Sequence, residues 1–276
     1  MKFTLALVAA IAGSAIARPT TLADRVKSRR DGNTRHKSHP NIKVGSATKE
    51  NVKFIEGESN STAHVQYSSN WSGAVLEQPT SGYFTSATGR FNVVTPTYAG
   101  DSDSESASAW VGIDGDSCAS GLLQGGIDFT VDSSGDVSYD AWYEWYPDYA
   151  YDFNNFDVNS GDIIQVDITA TSTTRGTVRL TNTSTGKSVS KTLNAPSGST
   201  LCRQNAEWIV EDFESGNSQV ALSNFGTVTF TSASASLSGG GKDDLSTATI
   251  LDLKMGGTVY TDVTIDSSSQ VSVKYI

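Results

Sequence analysis

The stretch Asn205 to Glu214, NAEWIVEDFE, sets Glu207, Glu211, Asp212 and Glu214 around a short apolar core. As a strand its side chains alternate, so Glu207, Ile209 and Glu211 share one face and Trp208, Val210 and Asp212 the other. A carboxylate row facing a groove can move protons; the plainer reading is a solvated strand face. Two further segments could supply partners. In Trp110 to Phe129, WVGIDGDSCASGLLQGGIDF, Gln124 and Asp128 share strand parity, and in Tyr139 to Phe153, YDAWYEWYPDYAYDF, Asp140, Trp142, Glu144 and Tyr146 share one face. Alternating carboxylates and aromatics read as the lining of a binding cleft, because a fully buried face would not hold Asp140 and Glu144. The competing reading is a sandwich face whose aromatics cap the core.

What the chain lacks narrows the chemistry. All three histidines, His36, His39 and His64, precede Tyr67. From Tyr67 onward no Ser-His-Asp or Cys-His site can be built, and H-E-x-x-H, the Asp-Thr/Ser-Gly pair and G-x-S-x-G are missing. Two cysteines without a nearby histidine do not make a usual zinc set, so no metal or cofactor is expected. Acid and base work falls to carboxylates, which suits an enzyme working in acid.

Residues Met1 to Ala17, one Lys followed by an apolar run ending Ala-Ile-Ala, fit a secretory signal, and no other stretch is long and apolar enough for a membrane span. A secreted, extracellular chain is the expectation. From Arg18 to Gln66 ten Lys and Arg stand against five acids, whereas from Tyr67 onward nine stand against twenty-five. This break reads as a basic propeptide, residues 18–66, ahead of an acidic domain, residues 67–276. Arg29-Arg30 is a possible processing point, and a basic arm that binds something else is the alternative. The propeptide is expected to neutralise the acidic domain and to leave when carboxylates protonate in acid. The acidic balance argues against nucleic-acid binding, and a monomer is the default.

The domain reads as all-β. Ile164, Val166, Ile168 and Ala170 alternate with polar neighbours, and ILDLKM, Gly256-Gly257 and TVYTDV give a hairpin signal. Short strands punctuated by Ser, Thr and Gly predict a two-sheet antiparallel β-sandwich of the lectin-like kind. Residues Thr97 to Ser108 are the expected exposed loop and a candidate for a nick. Asn60, Asn70 and Asn182 begin N-x-S/T sequons, with Asn182 the preferred glycan site. Cys118 and Cys202, the only cysteine pair, suggest one disulfide closing a loop of more than eighty residues, worth roughly 4.5 kcal/mol in the chain-entropy account. Gln124 lies six residues past one cysteine and Glu211 nine past the other, within reach of one groove.

SNWSGAVL, AWVGIDGDSC, LLQGGIDF, YDAWYEWYPDYAYDF and LCRQNAEWIVEDFE resemble, in order and spacing, the fungal glutamic peptidases or eqolisins over essentially all of Tyr67 to Ile276. The resemblance implies a sandwich of two seven-stranded sheets and a pepstatin-insensitive acid endopeptidase acting on proteins and peptides. It puts the catalytic pair on Gln124 and Glu211 rather than the tempting neighbour Glu207, and the family's disulfide on Cys118 and Cys202. By resemblance and strand parity, Trp71, Trp110, Asp128, Asp140, Trp142, Glu144 and Tyr146 bind substrate or orient the pair. Some members are cut into two chains, which the Thr97 to Ser108 loop would permit. Two rivals use the sandwich and aromatics alone: a carbohydrate-binding module stacking sugars on Trp142, Trp145 and Tyr146, and a glycoside hydrolase using Glu144 and Glu211.

Overall fold

The computed structural model describes residues 36–52, 61–216 and 218–276. The signal segment, Arg29-Arg30 and Asn60 lie outside the described residues. Among those described, an eight-stranded and an eleven-stranded sheet pack face to face, as a sandwich requires. The first runs Lys187–Asn194, Arg175–Asn182, Ile163–Ala170, Phe84–Asn92, Thr227–Leu237, Gln270–Tyr275, Thr261–Ser267. Its alternation is the predicted one: Ile164, Val166, Ile168 and Ala170 point into the core, where Val178 and Leu180 of the next strand meet them.

The second sheet carries the site. Its central order is Thr249–Met255, Trp71–Leu76, Ala206–Glu211, Ser104–Ile113, Leu122–Asp132, Val137–Tyr146. The middle strands are buried along their length, on both faces. Ala74, Ala109, Val111, Leu123, Ile127, Trp208 and Val210 fill the space between the sheets. Trp71, Val75, Trp110, Leu122, Trp142, Ile209 and Leu251 form a second apolar cluster on the outer face. That double burial explains why these strands read as mixed apolar, aromatic and acidic runs.

Most strand pairs are antiparallel, but Ser61–Ser68 pairs in parallel with Thr249–Met255, and Ala221–Leu222 with Ser104–Ile113. The expected hairpin at Gly256-Gly257 is present but brief. Lys254 and Met255 pair with Val259 and Thr258, and after Tyr260 the chain crosses to the other sheet as Thr261–Ser267. The predicted loop from Thr97 to Ser108 is shorter than expected, since Ser104–Ile113 is strand and Glu105 to Ser108 are buried. The cause is Glu105, whose carboxylate takes the backbone N–H groups of Ala99, Gly100 and Asp101 and ties the loop down.

Candidate active site

Register decides which side chains meet on the outer face. One cross-strand row runs Glu207, Gly112, Gln124, Glu144; the next, Ile209, Trp110, Gly126, Trp142; the third, Glu211, Ser108, Asp128, Asp140. A Cβ on Gly126 would stand 2.1 Å from the Ala109 carbonyl oxygen and 2.6 Å from Trp110 Cβ, so only glycine fits between the rows. The two arms are fixed at their base by the Cys118–Cys202 disulfide, with Cα atoms 6.1 Å apart. Beside it Asn205 accepts N–H bonds from Ser117 (3.0 Å) and Cys118 (3.3 Å), and Asp114 accepts them from Arg203 (2.7 Å), Gln204 (2.8 Å) and Asn205 (3.2 Å).

The groove is filled by the chain's own segment His36 to Lys43. Its ends are held by backbone bonds, Ala150 N–H to the His36 carbonyl (3.1 Å) and Asn41 N–H to the Gly115 carbonyl (2.9 Å). Between them, Ser38 N–H donates to Glu144 Oε2 and His39 N–H to Glu211 Oε1, each at 3.2 Å. Asn70 clamps the exit: its Nδ2 donates to the His39 and Pro40 carbonyls (both 3.2 Å), and its Oδ1 accepts Ile42 N–H (2.9 Å). Side chains add close contacts of His36 Nδ1 with Asp128 (3.0 Å) and His39 Nε2 with Glu214 (2.9 Å), and an ion pair of Lys43 Nζ with Asp116 (3.1 Å). The His36 ring lies 4.0 Å from Phe213 and edge-on to Trp142 at 4.7 Å, while Lys37 stands over Tyr146 and Tyr149.

Electrostatics follow from this cover. Glu211 is fully buried, and burial pushes its carboxyl up to about 7 despite the Ser38 side chain, the His36 charge, the His39 N–H and the Trp110 indole, all of which favour the anion. The Trp110 Nε1–H bond to Glu211 Oε2 is 2.9 Å. Burial also drives Glu144 well above the usual carboxylate range; it accepts Gln124 Nε2–H at 3.2 Å. Glu207 is likewise driven well above that range by burial, with the Asp114 and Asp116 charges adding to it, and neither oxygen has a hydrogen-bond partner among the described residues.

The expected lining residues do gather here, with changes. Trp71, Trp110, Trp142, Glu144 and Asp140 are buried rather than open, because the His36 to Lys43 segment covers the face; the inference that Asp140 and Glu144 could not sit on a buried face is corrected. The solvated-strand reading of Ala206–Glu211 falls for the same reason. Trp145 points into the inter-sheet core and donates to Ser199 Oγ, so it offers no sugar platform. Asn182 is buried, its amide nitrogen donating to Asp162 (2.8 Å) and the Asp157 carbonyl (3.4 Å). Sequence reasoning missed Phe213 and Glu214 as groove residues, whereas the place of Asn70 directly before Trp71 had already set it beside the groove and against a glycan.

A groove that joins a buried glutamate to a glutamine amide, and holds an extended backbone by its N–H and carbonyl groups, is built for peptide: fold and site together define a glutamic-type peptidase. The sequence profile described as the Peptidase A4 family matches residues 69–275. The chain is 43% identical to Aspergillopepsin-2 of Aspergillus niger over the full length of both, and 40% identical to Scytalidopepsin B of Scytalidium lignicola over 75% of this chain and 78% of that one. Scytalido-glutamic peptidase, solved with a transition state analog inhibitor, superposes with a TM-score of 0.68 at 38% identity, covering 75% of this chain and 98% of that one. Aspergilloglutamic peptidase from Aspergillus niger gives 0.59 at 50% identity, covering 62% and 99%. The chain belongs to the Peptidase A4 family and is a glutamic-type endopeptidase.

Proposed function

We propose that the chain is a secreted, pepstatin-insensitive acid endopeptidase in which Glu211 is the general base and Gln124 the oxyanion donor. The observation that carries this is the position of Glu211 Oε1, 3.2 Å from the amide nitrogen of a peptide bond lying in the groove. In a substrate complex Glu211 takes a proton from water, the water oxygen adds to the carbonyl carbon, and Gln124 Nε2–H stabilises the oxyanion. Glu211 then returns the proton to the leaving amine as the C–N bond breaks. Trp110 supports the anion of Glu211, and departure of the covering segment rehydrates the carboxyl, removing the largest cause of its raised pKa.

Residues 18–66 act as the propeptide and as an intramolecular inhibitor, and the chain works as a monomer. The His36–Asp128, His39–Glu214 and Lys43–Asp116 contacts hold this segment in the groove. One rival base has register in its favour: Glu207 shares the Gln124 row across Gly112. The test is hydrolysis of a denatured protein at pH 2 to 5, with pepstatin present, by acid-processed wild type, Glu211→Gln and Glu207→Gln. Glu211→Gln is expected to lose at least ~10³-fold and Glu207→Gln less than ~10-fold, by analogy with loss of other essential catalytic groups. The reverse order would transfer the base to Glu207.

A further inference from the structure

The segment in the groove lies as a substrate would, with the Ser38–His39 peptide bond over the reaction centre: Ser38 N–H on Glu144, His39 N–H on Glu211. A bond held so by a peptidase should be cut, unless the water that must attack it has no place to stand. The segment's Ser38 side chain is fully buried and hydrogen-bonds Glu211. Its hydroxyl also lies 3.2 Å from His36 Nε2, and His36 Nδ1 lies 3.0 Å from Asp128 Oδ2. Ser38 Oγ thus stands between His36 Nε2 and the Glu211 carboxyl. The Glu211 carboxyl also accepts His39 N–H (3.2 Å), Trp110 Nε1–H (2.9 Å) and Asn70 Nδ2–H (3.5 Å).

The geometry points to Ser38 as a stand-in for the nucleophilic water: its hydroxyl occupies the position on Glu211 from which water would attack, so that the Ser38–His39 bond sits in scissile register yet is not hydrolysed. This rests on the reading of Glu211 as general base. The segment is then a substrate made into an inhibitor by one hydroxyl, and the chain of Asp128, His36 and Ser38 orients that hydroxyl. Taking it away lets a water in: its proton goes to Glu211, its oxygen to the carbonyl carbon of residue 38, and the nitrogen of His39 leaves with the returned proton.

The test uses the acid-processed wild-type enzyme and synthetic peptides spanning residues 34–46, wild type and Ser38→Ala, at pH 4, reading inhibition of denatured-protein hydrolysis and the mass of each peptide over time. The wild-type peptide is expected to inhibit and stay intact. The Ser38→Ala peptide should inhibit about 3- to 10-fold more weakly, the usual worth of one hydrogen bond, and be cut between residues 38 and 39. In the full chain the same substitution should expose His39 as a new N-terminus in acid, and not when combined with Glu211→Gln. An Ser38→Ala peptide that inhibits equally and survives, or a wild-type peptide cut at the same bond just as fast, overturns the proposal. An enzyme that hydrolyses no denatured protein at all refutes instead the peptidase reading beneath it.

Discussion

Asp212 follows the Ala206–Glu211 strand and is almost wholly buried, with Oδ1 lacking a hydrogen-bond partner. Burial, with a smaller push from the Glu211 charge, raises its carboxyl from 3.8 to about 8. The native chain therefore keeps a proton on Asp212 that the unfolded chain gives up from about pH 4 upward. Because the native state binds more protons in that window, unfolding free energy falls as pH rises. The contribution is fully present below about pH 4 and lost by about pH 8. Four pH units at 1.36 kcal/mol each amount to about 5 kcal/mol, a large share of a typical domain's stability. The substitution Asp212→Asn keeps the shape and removes the proton, so it should flatten this decline. Both chains should carry Glu211→Gln, which prevents self-digestion and removes the neighbouring charge while leaving burial as the cause. Urea unfolding of the two proteins at pH 4 and pH 8 gives four free energies. The Asp212→Asn chain should lose several kcal/mol less between the two pH values, since the buried Glu144 and Glu207 contribute equally to both. Parallel declines, within about 1 kcal/mol, would show that Asp212 ionises freely in the folded protein and would refute the reasoning.

Trp110→Phe removes the indole N–H that favours the Glu211 anion, so the acid limb of the kcat/KM profile should move up by about 1 to 2 pH units; an unmoved limb would separate Trp110 from the base. Gly126→Ala drives a Cβ into the Ala109 carbonyl and should cost at least about 2 kcal/mol in urea unfolding, with activity lost beyond the loss of folded protein. Asp128→Asn breaks the His36 pair, and the zymogen should release its segment at least about tenfold faster at a given acid pH, followed by the appearance of activity; unchanged release would assign the hold to Glu214 and Asp116 alone.

Much of this was legible in the chain because it rests on local pattern. The period-two alternation of Ile164 to Ala170 fixed a half-buried strand, the two cysteines had only each other, and the LLQGGIDF and WIVEDFE motifs carried the family. The break from basic to acidic composition near Tyr67 raised the expectation of a separate basic segment, and the strand Ser61–Ser68 runs across that break. Parity on one strand could place Asp140, Trp142, Glu144 and Tyr146 together. It could not say whether that face was wet.

What only the tertiary structure decided is what lies across from what. Strand order and register put Glu207, and not Glu211, in the row of Gln124, and left Asp212 beyond the strand end in a dry site. Contacts more than a hundred residues apart, such as Ser38 with Glu144 and His39 with Glu211, turned a face expected to be open into a covered one. The same cover reversed the meaning of the histidines: excluded from the catalytic domain by the sequence, two of them sit against its carboxylates. The physical reason is that burial is a property of the assembled sheets and their cover. Side-chain alternation says which way a carboxylate points, but the desolvation that sets its proton affinity comes from whatever the rest of the chain lays on top of it.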